Sequence, residues 1–141
     1  EIHFSSELLK MPNRLLILFF LTFFALPLQA KWTVIDQGTK HGEKHFVDWE
    51  TIDKNEHFRK VWVLSSYEKQ QPGQFHSLKT HYEFNCTDHK TRIITLLFYP
   101  DENAATTPNG ARHAESEEWF DFSKQSILHS IAARICDESS D

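Results

Sequence analysis

The nine histidines and two cysteines are the side chains of this 141-residue chain best suited to binding a metal. His41 and His45 are separated by three residues, a spacing that suits zinc when both histidines lie on one face of a helix. Gly42 lies between them, however, and indicates a loop. Cys86 and His89 have a ligand-like C-x-x-H spacing, but an oxidised cysteine cannot act as a thiolate ligand. We therefore interpret the histidines as solvated surface residues and predict no metal site, with a weak Zn²⁺ or Cu²⁺ site as the alternative.

Hydrolytic chemistry would need a nucleophile held against a base and an oxyanion donor. The chain has no G-x-S-x-G motif, and Ser65 and Ser66 lie in a predicted strand beside Tyr67, where a structural hydroxyl is expected. The four glycines form no phosphate-cradling loop. Three acids are interpreted as polar strand-end and turn residues: Asp36, Asp48 and Asp53. We predict that the chain has no catalytic residues, needs no cofactor and is not an enzyme.

Cys86 and Cys136 are the only cysteines of the chain. In an oxidising compartment, two cysteines in a short domain are typical of a disulfide. An intermolecular bridge and two free thiols are the alternatives that these residues leave open. An intramolecular bridge would close a loop of about 50 residues and contribute roughly 4 kcal/mol in the chain-entropy description.

The first 30 residues indicate that the protein is exported. Met11, the only methionine, is followed by Arg14 and then by the apolar run Leu15–Ala25, which correspond to the n-region and h-region of a signal peptide. Leu28–Ala30 is the candidate cleavage site. The apolar run is shorter than the roughly 20 residues that cross a bilayer, which favours a cleaved signal peptide over an uncleaved anchor.

The chain divides into four segments on this interpretation. Residues 1–10 are an untranslated upstream segment, 11–30 the signal peptide, 31–136 a single domain and 137–141 a disordered tail. The net charge of −5, with interspersed signs and no cluster of Lys and Arg, argues against a nucleic-acid partner. We expect contact with a membrane only through the signal peptide before its cleavage.

The elements of the domain are indicated by hydrophobic periodicity. Residues Ser77–Cys86 alternate between apolar and polar side chains, which predicts a half-buried strand ending on the first cysteine. Phe58–Glu68 is apolar on both faces at its middle and is expected to be the central strand, joined to Ser77–Cys86 through a turn at Gln70–Gly73. Thr91–Tyr99 is rich in β-branched and aromatic residues and continues the meander. Two shorter strands are expected earlier in the chain, at 31–36 and 44–49.

The periodicity changes to 3.6 after Ser126, where an apolar stripe predicts a helix of about ten residues that ends at Cys136. So short a helix must pack on the sheet to be stable. We predict an α+β fold in which an antiparallel meander of about five to six strands packs against this C-terminal helix. The loop at 101–110 is expected to be the most flexible region. Glu117–Phe122 is interpreted as a packed connector, with a last short strand as the alternative.

The four tryptophans could form a core or a binding surface. Trp62 is assigned to the core because it lies in the central strand. Trp49 and Trp119 are flanked by acidic residues, so we expect them to be partly exposed and name them as candidate binding residues. An edge strand at 31–36 or at 44–49 could also pair with a second copy and give a homodimer.

Four short motifs follow one another along the chain: K-V-W-V-L-S-S-Y at 60–67, S-L-K-T-H-Y-E-F-N-C at 77–86, E-W at 118–119 and I-C at 135–136. In this order they resemble the motifs of the surface-adhesin protein E-like family of small exported proteobacterial domains. The resemblance covers roughly residues 32–136. It implies a single antiparallel sheet packed against a C-terminal helix, with Cys86 and Cys136 bridged.

The resemblance also implies a function, because the family is named for an outer-membrane adhesin that binds host extracellular proteins. We expect a non-enzymatic interaction module whose protein partners lie in the host matrix or the bacterial envelope. The alternatives are a soluble periplasmic housekeeping or stress-related protein and, less favoured, a histidine-based metal-binding protein. Lys31 follows the predicted cleavage site where a lipoprotein would have cysteine, so we expect a periplasmic or secreted protein without a lipid anchor.

Overall fold

A computed structural model describes residues 30–113 and 118–137 of the chain. The predicted upstream segment, the signal peptide up to residue 29 and the tail from residue 138 lie outside these described residues. Within them, no helix has the length and apolar character needed to cross a membrane.

The described chain forms one antiparallel sheet of seven strands and one α-helix, so the predicted fold class is confirmed. The strands are β1 (Thr33–Ile35), β2 (Glu43–Val47), β3 (Asp53–Asn55), β4 (Phe58–Gln71), β5 (Phe75–Asn85), β6 (Lys90–Tyr99) and β7 (Gly110–His113). The helix α1 spans Ile127–Ile135, and a 3-10 turn covers Trp49–Thr51. Gly73, with φ of +96°, takes the left-handed backbone conformation in the turn of the long β4–β5 hairpin.

The strand order is β1-β2-β4-β5-β6-β7, with β3 pairing with the start of β4. The predicted count of five to six strands omitted β3 and β7, whose three and four residues are too short to show a periodicity. The expectation that 44–49 could be an edge strand is wrong, because β2 lies between β1 and β4. Of the two alternatives, only the strand at 31–36 lies at an edge of the sheet that residues 30–113 and 118–137 form, as β1.

The register of the strands divides the sheet into two faces, since side chains directly opposite one another point to the same side. Val47, Val63 and Thr80 are aligned across β2, β4 and β5, and they point towards α1. We call this side the helix face. Phe46, Leu64 and Lys79 form the next row and point the other way. We call that side the outer face, and it also includes Trp62 on β4 and His81 on β5.

The main core lies between the helix face and α1. Ile131 is completely buried and Ile135 is 3% exposed, in the apolar stripe that the 3.6-residue period predicts. Ser126 caps the helix by accepting a hydrogen bond from the His129 backbone N–H at 3.4 Å. Gly38 lies against this N-terminus, where an added Cβ would be 2.5 Å from the Ile127 backbone nitrogen.

The C-terminal end of α1 is tied to the sheet by a covalent and a polar contact. Cys86 and Cys136 form a disulfide, as predicted, with their Cα atoms 5.4 Å apart. Beside it, the buried Arg59 side chain donates from Nε to the Ile135 carbonyl at 3.1 Å. This second contact satisfies one of the carbonyls that a helix end leaves without an intrahelical partner.

The loop after β6, expected from its sequence to be the most flexible region, contains a network of hydrogen bonds centred on Asp101. The Asp101 carboxylate accepts hydrogen bonds from the backbone N–H groups of Asn103, Ala105 and Thr106 and from the Thr106 hydroxyl. Ala104 is buried in a second apolar cluster. Because this cluster contains Leu64, the loop covers part of the outer face.

Candidate functional site

Three of the four tryptophans lie on the outer face: Trp32, Trp62 and Trp119. All three are half-buried. The assignment of Trp62 to the core is therefore wrong: its neighbours Val61 and Val63 are completely buried against the helix, whereas Trp62 points away from them. Half-buried tryptophans that share one face of a sheet are typical of an interaction surface, because part of each large ring remains available to a partner.

The centre of the outer face is a stacked pair of rings. Trp62 and His81 are direct neighbours on β4 and β5, and their rings are parallel with centroids 4.3 Å apart. Burial lowers the pKa of His81, and the nearby Lys60 ammonium lowers it further. The imidazole is therefore neutral at pH 7 and stacks on the indole as an uncharged ring.

One end of the face combines aromatic rings with a lysine. The Lys79 ammonium lies 5.7 Å from the ring centroid of Trp32 and 5.3 Å from that of Tyr99. Cation–π contacts of this kind hold a lysine head over the rings without an ion pair. Beneath them, Tyr99 and Leu64 are buried in the second apolar cluster, so this end has a rigid base.

The other end of the face contains charged residues next to Trp119. The Arg92 side chain forms an ion pair with Glu83, with Nη2 and Oε1 2.6 Å apart, and its guanidinium lies 4.7 Å from the Trp119 ring centroid. Phe58 packs on the same indole, with centroids 5.9 Å apart. Trp119 is thus held in place by β4 and β6, although it belongs to the connector before α1.

Trp49 lies elsewhere, beside α1. It packs against the main core, and the Arg134 guanidinium of α1 lies 4.0 Å from its ring centroid. Its Nε1 atom is buried and has no hydrogen-bond partner in the described structure. The two tryptophans named from the sequence are therefore both half-buried but are not brought together. Their role in binding remains a prediction.

A buried polar network on the helix face contains an acid, a histidine and a serine. His45 accepts or donates through Nδ1 to Ser65 Oγ at 2.8 Å and contacts Glu43 Oε2 through Nε2 at 3.1 Å. Burial, reinforced by the Glu43 charge, raises the pKa of the adjacent Tyr67 hydroxyl. His45 is only 6% exposed, so its interpretation as a solvated histidine is wrong.

This network does not have the geometry that nucleophilic catalysis needs. Ser65 is buried in the middle of β4, between β2 and β5, where the backbone amides belong to the sheet ladders. Oxyanion stabilisation requires free N–H donors beside the nucleophile, which a central strand does not offer. The arrangement supports a structural role, in which each polar group buried by the sheet obtains a partner.

The histidines do not form a metal site in the part of the chain that the structure describes. No three His, Cys, Asp or Glu side chains gather there in a way that could hold an ion. His41 is exposed in the loop before β2, whereas both ring nitrogens of His45 are engaged in the buried network. Cys86 forms the disulfide with Cys136 and has no thiolate to offer a metal, so Cys86 and His89 cannot act together as ligands.

A pocket of about 540 Å³ opens on the outer face, between the segment before β1 and the first part of β4. Its lining includes Trp32, Trp62, Leu97, Asp48 and Lys79. Sequence reasoning missed this group, because the residues are spread over the chain and only the strand register aligns them. The alternation of β5 did place Lys79 and His81 together on the face opposite the apolar residues.

Comparison with known proteins agrees with this fold. The family described as surface-adhesin protein E matches residues 32–137, which extends one residue beyond the resemblance seen in the motifs. Searches of curated proteins and of solved structures give no match. The family match spans nearly all of the described domain, including both cysteines and the three tryptophans of the outer face. The chain therefore belongs to the surface-adhesin protein E family.

Proposed function

We propose that this chain is an exported, non-enzymatic interaction module that binds protein partners in the host matrix or the bacterial envelope through its outer face. The observation that carries the proposal is the presence of three half-buried tryptophans on the face that α1 leaves uncovered. Membership of an adhesin family supports a surface-adhesin-like role. Tryptophan and arginine are also the residue types that most often dominate binding energy at protein interfaces.

The site is suited to binding because its aromatic residues are already fixed before a partner arrives. Trp62 stacks on His81, Trp119 packs between Arg92 and Phe58, and Trp32 faces the Lys79 ammonium. Side chains that are ordered in the free protein lose less conformational entropy on binding. The charged residues between the aromatic groups would set the orientation of a partner.

The test is binding of the purified exported chain to immobilised basement-membrane extract and to a detergent extract of bacterial envelopes. We expect saturable binding that Trp62→Ala or Trp119→Ala weakens by roughly tenfold or more, as for hot-spot residues. Trp49→Phe is the matched control, because it changes a tryptophan beside α1 and outside the outer face. Binding no stronger than that of an unrelated acidic protein would refute the proposal, and so would an equal loss in the control variant.

A further inference from the structure

The pocket on the outer face has the size of a small-molecule site. Its volume of about 540 Å³ lies within the roughly 300–1,000 Å³ that such sites occupy. The indoles of Trp32 and Trp62 and the side chain of Leu97 give it a mainly apolar lining. Since His81 covers one side of the Trp62 ring, only the other side of that ring is available to a ligand.

A carboxylate oxygen in this pocket lacks a donor. Asp48 is only 2% exposed, and its Oδ1 accepts a hydrogen bond from the Glu50 backbone N–H at 3.2 Å. Among the described residues, no group donates a hydrogen bond to Oδ2, and the protein does not enclose this atom completely. Because a poorly solvated carboxylate oxygen is costly without a donor, Oδ2 favours a ligand that carries one.

An ammonium donor lies in the same pocket. Lys79 Nζ faces the rings of Trp32 and Tyr99, and among the described residues no carboxylate lies within ion-pair distance of it. The other charges of the pocket, Glu50 and the adjacent Lys31, neutralise one another at 3.2 Å. One acceptor, Asp48, and one donor, Lys79, therefore remain for a ligand.

The balance of these groups selects against ligands that carry a single charge. A cation attracted to Asp48 would also meet the Lys79 ammonium, and an anion attracted to Lys79 would meet the Asp48 carboxylate. Hydroxyl groups can donate to one and accept from the other without adding a charge to the pocket. An aliphatic ring with a flat C–H face would in addition cover the exposed side of the Trp62 indole.

We propose that this pocket binds a neutral saccharide. One ring hydroxyl donates to Asp48 Oδ2, another accepts from Lys79 Nζ, and the C–H face of the sugar packs on Trp62. This inference rests on the proposed function, because the pocket lies on the same face. It specifies that the part of a partner bound in the pocket is a neutral glycan. It adds a site of defined chemistry to a surface that otherwise binds protein.

The test uses the exported chain purified from the periplasm of an expression host, titrated with lactose, maltose, cellobiose and N,N′-diacetylchitobiose. Tryptophan fluorescence and saturation-transfer difference NMR report binding at millimolar concentrations.

At least one of these sugars is expected to bind, and Trp62→Ala, Asp48→Asn and Lys79→Met are each expected to weaken its binding by about tenfold or more. Lys44→Met is the matched control for Lys79→Met, because Lys44 is an exposed lysine of β2 on the same face but outside the pocket. Circular dichroism and thermal unfolding establish that each variant is folded. If Trp62→Ala does not fold, Lys79→Met still tests the pocket, because methionine keeps most of the aliphatic stem and removes only the ammonium.

Three results would overturn the proposal. They are the failure of all four sugars to bind, binding only of charged probes such as sialyllactose, glucosamine or free amino acids, and sugar binding that survives both Trp62→Ala and Lys79→Met. Failure of the sugars with intact binding to matrix or envelope extract would leave the proposed function standing. Sugar binding without any captured protein would support the pocket and contradict the proposed protein-binding role.

Discussion

Cys86 and Cys136 show how a single pair of residues fixes the position of α1. Cys86 directly follows the last residue of β5, and Cys136 directly follows the last residue of α1, so the bridge fastens the helix end to the sheet. A nine-residue helix would not be stable alone in water. Its order therefore depends on the apolar contacts of Ile131 and Ile135 and on this covalent link.

Replacing Cys86 with Ser is expected to lower the free energy of unfolding by about 4 kcal/mol, because the 50-residue separation is no longer closed in the unfolded chain. Urea denaturation followed by tryptophan fluorescence measures the change. Cys136→Ser should give the same loss, and the double variant should lose no more than either single variant. An unchanged midpoint would show that the bridge contributes nothing to stability.

At the scale of elements, the loop after β6 packs on the outer face and contributes Ala104 to the second apolar cluster. The Thr106 hydroxyl, followed by the Ala105 backbone N–H, lowers the pKa of the Asp101 carboxyl to about 2. Ser77 Oγ adds a further contact by accepting a hydrogen bond from the Ala104 backbone N–H at 3.0 Å. Together these contacts hold Ala104 against Leu64 and Tyr99.

The order of this loop is expected to depend on pH. Because the pKa of Asp101 is lower in the folded chain than its ordinary 3.8, its stabilising effect is complete above about pH 4 and is lost as the pH falls towards 2. The protection of the Ala105 and Thr106 amides against hydrogen exchange, measured by NMR relative to the intrinsic rate at each pH, should fall over that range. Asp101→Asn should give fast exchange already at pH 6, whereas Glu102→Gln removes a neighbouring charge and should not. Equal protection in Asp101→Asn would contradict this account.

The edge strand β1 is the element through which we propose that two copies pair. Val34 is 50% exposed, and among the described residues β1 pairs on one side only, with β2. Unpaired strand edges add further strands readily, and charge at the edge prevents it. Size-exclusion chromatography with light scattering is expected to show a dimer at high protein concentration that Val34→Lys converts to a monomer. Lys54→Glu, which changes a charge in β3, is the control. A wild-type chain that stays monomeric at every concentration would refute the pairing.

At the scale of the whole molecule, location decides which partners the outer face can meet. The proposed adhesin role requires exposure at the cell surface, whereas a housekeeping role in the envelope requires only the periplasm. We expect that protease added to intact cells degrades the chain, while a periplasmic marker enzyme remains intact. Protection of the chain until the outer membrane is permeabilised would favour the periplasmic role and contradict adhesion.

Most of the architecture could be predicted from local patterns. The period of two in β5 and the period of 3.6 in α1 predicted which side chains of each element face the core, since a half-buried element shows its buried side in its own sequence. The short strands β3 and β7 could not be found in this way. Three or four residues are too few to show a period. These strands form because their backbones hydrogen-bond to longer neighbouring strands.

The sequence by itself determined the antiparallel sheet and the packed helix through local patterns, and its ordered motifs determined the family, whose resemblance implied the paired cysteines. Only the tertiary structure decided that Trp62 faces outwards, that His45 is buried and that Trp32 and Lys79 share a pocket. The middle of β4 is apolar on both faces, so its own pattern gives no sign of which side α1 covers. That choice is made by the register between strands and by the position of the helix, which are set by contacts far apart in the chain.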